Sequence, residues 1–279
     1  MSFNGEIITS RNNPFIKWVA SLSEKKGRNE NKSFLLEGEK LTFEAIKYVL
    51  PITHVIVTEE SFEKNKDRLL NAIAEKNGLK IEIKIVTLSV FEKISGEKSP
   101  QGMISVVKYL DFFRKVDIIY KEDFFILDSE RALFLYSVRD PVNLGAVIRC
   151  AVAFGINHIV LSSDCADVYN SRTVRCAMGS LFRVKITTVS STEDFIRAAQ
   201  YNSRRVLAAE LRDGAVALGE VGLSASDVIM IGNEGHGIPK EISDLCDASV
   251  YIPISENTES LNASSAATVF MWEQSKTDF

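Results

Sequence analysis

A chain of 279 residues with a formal net charge of −4 has length for two domains of ordinary size. Hydrophobic residues at 46% and charged residues at 25% are globular proportions, and no apolar run approaches the ~20 residues of a membrane span. Met1 to Phe15 lacks the apolar stretch of a secretion signal, so no membrane partner and a cytoplasmic setting are expected.

Cys150, Cys165, Cys176 and Cys246 show neither C-x-x-C pairing nor a histidine at ligand spacing, so no metal site is expected. Three of them sit among apolar or small residues and read as buried thiols. Charge is divided unevenly. Residues 1–110 hold 17 basic and 14 acidic side chains, and the remainder holds 16 and 23. The basic bias concentrates in Arg11, Lys17, Lys25, Lys26, Arg28 and Lys32. A solvated helix face would account for it, and so would an RNA-docking module joined to a second domain.

The first 110 residues read as a small α/β unit. Asn13-Pro14 is a helix start and Phe15 to Leu22 has helical spacing. A strand follows at Ser33 to Gly38, a helix at Leu41 to Leu50, and a β-rich run at Ile52 to Val57. Then come a charged helix (Ser61 to Lys76), a strand (Ile81 to Val86), a short helix (Ser89 to Ile94), a turn at Pro100-Gln101-Gly102 and a strand at Met103 to Val107. Residues 111–123, within a stretch of alternating charge and aromatics, are expected to link this unit to a second domain over 124–279. There the pattern predicts strands at Phe124–Leu127, His158–Leu161, Val184–Thr188, Arg205–Ala209, Val228–Ile231 and Ser249–Ile252. Helices are predicted at Leu144–Phe154, Arg172–Ser180, Thr192–Tyr201 and Leu261–Gln274. Strands alternating with helices imply an open parallel sheet, with ligands beyond the carboxyl ends of its strands.

Three segments follow such strands or open such helices. In the first, Asp140 to Arg149, Asn143 is a plausible N-cap, and Arg149 interrupts an apolar helix where a buried charge needs a partner. That partner is either a structural carboxylate or a ligand phosphate. In the second, Ile231 to Pro239, glycines stand at G-x-x-G-x-G spacing, which is not that of a dinucleotide fold. His236 lies between two of these glycines and reads as a loop residue. In the third, Ile252 to Ala267, a proline ends a strand and a polar loop leads into a helix of small residues, with Ser260 as a possible cap.

Together these segments resemble the signature motifs of the SpoU/TrmH family of the SPOUT class. The likeness rests on Asn143, Gly145 and Arg149, on Gly232 to Gly237, and on Ile252, Pro253, Ser260, Leu261 and Asn262. Asp167 to Ser180 is also similar to a family segment. Ile254 and Ala263 depart from the usual methionine and valine. Residues 1–110 resemble, more loosely, a substrate-binding domain akin to a small ribosomal protein.

The resemblance implies an RNA ribose 2′-O-methyltransferase using S-adenosyl-L-methionine. Ribosomal RNA is the favoured substrate, and transfer RNA or a non-catalytic RNA-binding relative is the alternative. It further implies a C-terminal trefoil knot and a homodimer formed through it. Gly232, Ile252 and Leu261, with Asn233, Gly237 and Ala209, would line the cofactor. Arg149 is a base in family proposals; because guanidinium stays charged, it reads here as an anchor for phosphate and alkoxide charge. Asn143 would orient Arg149, Glu234 would hold the loop or pair with a basic group, and Ser260 and Asn262 would position the ribose. Arg11, Lys17, Lys25, Lys26, Arg28 and Arg175 are the candidate RNA contacts.

Overall fold

The computed structural model describes residues 3–76, 80–127, 129–255, 257–258 and 260–276. The chain forms two units, one of Met1–Leu110 with Asp167–Phe182 and one of Asp111–Ala166 with Arg183–Phe279.

The first unit begins with an edge strand, β1 (Phe3–Ile8), and α1 (Pro14–Ser21). The Asn13 side chain caps α1 by accepting from the Phe15 amide, and Pro14 supplies a preset first turn. Next come α2 (Lys25–Asn31), β2 (Ser33–Glu37), α3 (Glu39–Lys47) and β3 (Ile52–Thr58). The chain continues through α4 (Glu59–Ala74), β4 (Glu82–Val86), α5 (Leu88–Ile94) and β5 (Met103–Lys108). The sheet order is β1-β4-β3-β5-β2, parallel between β1, β4 and β3 and antiparallel at β5 and β2. Ile16 and Val19 of α1 and Val90 and Phe91 of α5 bury against Ile56, Ile104 and Val106 of the sheet.

The helix α2 has no apolar period and was not expected. Its Arg28 explains it and corrects the grouping of Arg28 with the RNA-facing cations. Arg28 is buried, donating to the Leu22 and Ser23 carbonyls and, at 2.6 Å, to Asp167. With Nη1 and Nη2 held by these acceptors, and only Nε left without a hydrogen-bond partner, this buried guanidinium is tied into the packing and is not free to meet RNA.

The second unit opens with β6 (Phe113–Val116), inside the stretch expected to be a linker. β6 pairs in parallel with a later strand at the sheet edge. The predicted strand at Phe124–Leu127 is absent. Phe124 and Phe125 instead lay their rings against Phe195 as loop residues, because a short apolar run does not distinguish strand from buried loop. The strand lies further on, as β7 (Ala132–Leu135), four apolar residues all buried. Then follow α6 (Pro141–Ala153) and β8 (His158–Ser162).

The chain next returns to the first unit as α7 (Ser171–Ala177) and a 3₁₀ turn, Met178–Phe182, shortening the predicted helix. Tyr169 fastens this excursion. Its ring stacks on Tyr109 at 4.0 Å, and its hydroxyl accepts from the Leu110 amide at 2.8 Å.

The second unit resumes with β9 (Lys185–Val189), α8 (Thr192–Tyr201), β10 (Val206–Ala209) and the two-residue β11 (Val216–Ala217). β12 (Val228–Ile231), α9 (Lys240–Ser243), β13 (Ala248–Tyr251) and α10 (Ala263–Ser275) complete it. All eight strands are parallel, in the order β11-β13-β10-β12-β7-β8-β9-β6. From β7 the chain steps outward through β8 and β9, then crosses to lay β10 on the far side, and β12 later fills the gap. The reversal makes the β7–β12–β10 region a topological switch point, where loops diverge and leave a crevice. All four cysteines are half-buried and free, so none of the three expected thiols is fully enclosed.

The amino ends of these strands hold a buried polar cluster. His158 Nδ1 donates to Glu130 at 3.1 Å, and Nε2 accepts from Thr187 at 2.9 Å. Burial lowers the His158 pKa despite the adjacent carboxylate, so the ring is neutral. A depressed histidine contributes stability above its unfolded value of 6.5, and this is lost as pH falls toward the folded value. Guanidinium unfolding should therefore give lower stability at pH 5 than at pH 7, and His158→Gln should flatten that dependence.

Candidate active site

Each motif lies in or just after a loop at the carboxyl edge of the second unit's sheet, the first of them running into α6, and local chemistry sets each loop. In the first, Asp140 rather than Asn143 caps α6, accepting from the Val142 amide at 2.9 Å, with Pro141 in the first turn. Asn143 therefore sits inside the first turn, its side chain free to reach outward. In the third, Asn262 rather than Ser260 caps α10, accepting from the Ser264 amide at 2.9 Å. Ser260 is exposed in the preceding loop.

The second motif is a loop closed on itself. Asn233 and Gly237 exchange backbone hydrogen bonds at 3.1 and 3.0 Å, and Asn233 Oδ1 accepts from the Gly235 and His236 amides. Gly237 has φ +64°, the left-handed region. A Cβ on Gly232 would stand 2.6 Å from the Gly237 carbonyl carbon, so only glycine lets the loop fold back this tightly. His236 is exposed.

One line of side chains joins the three loops. Asn262 Nδ2 donates to Asn143 Oδ1 at 3.0 Å, and Asn143 Nδ2 donates to Glu234 Oε1 at 2.9 Å. Asn233 Nδ2 donates to the Ser137 carbonyl at 2.7 Å, tying the glycine loop to the end of β7. Asn143 thus spends its amide on Glu234 and Asn262 and does not orient Arg149. Six positions further along a helix of 3.6 residues per turn, Arg149 faces another direction. Glu234 holds amide donors here, not a basic group.

Arg149 also departs from expectation in burial. It is exposed, and among the described residues nothing hydrogen-bonds or ion-pairs with it. The apolar neighbours Val147 and Ile148 turn inward while the guanidinium stays in water.

Sequence reasoning missed the support beneath the β7 loop. Ser137, at φ +54°, donates its hydroxyl to Asp164 at 2.6 Å, and Ser162 and Arg139 also donate to that carboxylate. Although burial opposes ionisation, these three donors hold the Asp164 pKa down at about 2. The only signal for these short polar residues was their position just after β7 and β8.

A cleft of about 380 Å³ opens beyond β10, β12 and β13. Its walls are Ala209, Ile231, Val250, Ile252, Ile254, Leu261 and Phe270, with the glycine loop on one side and Ala263 and Ala266 of α10 on another. Gly232, Asn233, Gly237, Ile252, Leu261 and Ala209 all line it, and so do Glu234 and Ser260. Asn143, Arg149 and Asn262 do not. An apolar cleft of this size with backbone-rich edges suits a small organic cofactor. The close return at Gly232 leaves the backbone within reach of a ligand, and the apolar walls suit a nucleoside ring.

Residues 130–272 match the family model of the SpoU rRNA methylase family. The chain belongs to that family. Residues 13–105 match the MRM3-like substrate binding domain. The chain is 26% identical to the 23S rRNA (guanosine(2553)-2′-O)-methyltransferase RlmP of Bacillus subtilis, over 95% of this chain and 97% of that one. It is equally similar, at 26%, to the 23S rRNA (uridine(2479)-2′-O)-methyltransferase of Streptomyces viridochromogenes, over 95% and 90%. The AdoMet-bound rRNA methyltransferase from Sinorhizobium meliloti superposes with a TM-score of 0.81 at 28% identity, covering 98% of each chain.

Asn143→Asp would set a second carboxylate against Glu234 where a 2.9 Å hydrogen bond now stands. The expected loss is about 1–3 kcal/mol, the cost of unmaking a buried polar contact. Guanidinium unfolding reads it, and amide exchange at Gly235 and His236 should quicken as the loop loosens.

Proposed function

We propose that this member of the family methylates a ribose 2′-hydroxyl of ribosomal RNA with S-adenosylmethionine as donor. The observation that carries the reading is the cleft of the second and third motifs, at whose edge Ser260 is exposed, in a unit where Arg149 is exposed and has no partner among the described residues. Relatives named as 23S rRNA 2′-O-methyltransferases align over nearly the whole chain, which favours ribosomal over transfer RNA. S-adenosylmethionine supplies, when bound, a methyl group on a sulfonium that a ribose oxygen can attack.

The protein's own part is alignment and charge. Gly232, Ile252 and Leu261 hold the cofactor against the cleft wall, with Asn233, Gly237 and Ala209 beside them. Ser260 orients the ribose from the exposed edge of the cleft. Arg149 keeps its proton, binds the phosphate next to the target and stabilises the developing alkoxide. The hydroxyl proton passes to solvent at this exposed edge. Asn143, Glu234 and Asn262 act through the loops they join and are positioning residues.

Among the RNA-facing candidates, Lys17, Lys25 and Lys26 are exposed and able to meet phosphates. Arg11 is shared with the Ser89 carbonyl and Glu92, and Arg175 with Glu97, so both would have to exchange partners. The reading sets the protein in the cytoplasm, and the bacterial rRNA methyltransferase relatives support this; among the described residues no helix is long and apolar enough to cross a membrane.

The reading includes a homodimer through the knotted C-terminal region. Support for it lies in Trp272 of α10, 52% exposed, and Val142 of α6, 44% exposed, on two helices that pack together. Such apolar surface is costly to leave in water and suits a second copy of the chain. The knot is supported by β12 lying between β10 and β7 and by α10 packing on both α6 and β12.

Arg149→Ala and Arg149→Lys should each lower single-turnover methylation of ribosomal RNA, the alanine form by about a hundredfold or more, as for lost transition-state donors. Activity near wild type in both removes Arg149 from the reaction. Mapping 2′-O-methyl positions in cells with and without the gene identifies the nucleotide. Trp272→Glu should shift sedimentation from dimer to monomer at micromolar concentration; an unchanged profile would place the interface elsewhere.

A further inference from the structure

The charge of the cleft has a consequence for which ligand it holds. Among the described residues lining it, Glu210 and Glu234 are the carboxylates, and no lysine, arginine or histidine joins them. Glu234 is exposed at the mouth and engaged by Asn143. Glu210 lies deeper, its side chain 17% exposed, just past the end of β10. Its amide donates to the Val250 carbonyl at 3.0 Å, which fixes the backbone. Its Oε1 accepts from the Ser249 hydroxyl at 2.7 Å, and its Oε2 has no hydrogen-bond partner among the described residues. Arg212 forms an ion pair with Oε1 at 3.4 Å from outside the cleft lining, and it shares its charge with Asp244 and a hydrogen bond with Ser243, so Oε2 stays open.

A half-buried carboxylate with an open lone pair favours a cation or a strong donor in the space it faces. Resting on the S-adenosylmethionine reading, we propose that Glu210 makes the cleft select the cationic methyl donor over its neutral product. The donor carries a sulfonium, an ammonium and a carboxylate, a net positive charge. Transfer of the methyl group to the ribose oxygen breaks the S–CH₃ bond and leaves its electron pair on sulfur. The sulfonium becomes a neutral thioether, and the hydroxyl proton goes to solvent. S-adenosylhomocysteine therefore has no net charge, and Glu210 loses what it attracted. The product is thus held less tightly than the donor, and fresh donor displaces it.

The test is calorimetric titration of the full-length protein, wild type and Glu210→Gln, with three ligands. These are S-adenosylmethionine, S-adenosylhomocysteine and sinefungin, in which a protonated amine stands where the sulfonium would be. Glutamine can still accept from Ser249 through its amide oxygen, and it removes the negative charge together with the ion pair to Arg212. One charge interaction in a partly buried site shifts affinity on the order of tenfold. Glu210→Gln should weaken S-adenosylmethionine and sinefungin by about that factor and leave S-adenosylhomocysteine within about twofold, which also shows that the variant is folded. Equal weakening of all three ligands, or an unchanged donor-to-product ratio, overturns the proposal and leaves the cofactor reading intact. A wild-type protein that binds none of the three overturns the cofactor reading as well.

Discussion

Asn143 sits where three loops meet, and its amide must donate and accept at the same time. It is 7% exposed, so neither half of the amide can rely on water. Glu234 takes the donor and Asn262 supplies the acceptor's proton, which sets the distance from the glycine loop to the start of α10. Because Asn262 is also the cap of α10, the helix cannot begin elsewhere without breaking the bridge. The cleft walls at Gly232, Leu261 and Ala263 inherit their spacing from this arrangement. The two functions are separate: these polar side chains build the frame, and apolar and backbone groups face the ligand.

The parallel sheet gives the bridge something to stand on. β12 enters between β10 and β7, strands laid down earlier in the chain, so its following loop rises between two others at the switch point. The β7 loop is stiffened by the Asp164 carboxylate, which Ser137, Ser162 and Arg139 share. Asn233 then binds the Ser137 carbonyl, passing that stiffness to the glycine loop. A tight return at Gly237 with φ +64° costs little for glycine and would strain other residues. The opposite edge of the same sheet is used for stability, through the buried pair of His158 and Glu130.

Two arginines show how the same side chain divides between structure and chemistry. Arg28 stands in a stretch rich in lysine yet is buried with its donors on Leu22, Ser23 and Asp167. Arg149 stands in an apolar run yet is exposed and unpaired among the described residues. A free guanidinium is inexpensive in water and available to a phosphate, whereas a buried one already bound cannot leave without leaving an unpaired charge. Neither outcome follows from the flanking residues, because a helix buries one stripe and exposes the other.

Local patterns were sufficient for much of the fold. Alternating strands and helices specified a parallel sheet, and strands such as β8, β10 and β12 lie within a residue or so of their apolar runs. The three loops were legible too, since glycine spacing, a proline after a strand and small residues in a helix have local physical causes, whereas the roles of the residues in them came from the family resemblance. What the chain order concealed were contacts between distant segments. α2 forms around Arg28 and Asp167, 139 positions apart, and β6 exists because β9 offers it an edge. The caps moved to Asp140 and Asn262, the Asn143 bridge spans 91 and 119 positions, and Glu210 faces the cleft only because β10 lies beside β13. Periodicity reports which face of an element is apolar. Only the folded chain decides which polar groups meet, because each hydrogen bond needs two partners brought within about 3 Å.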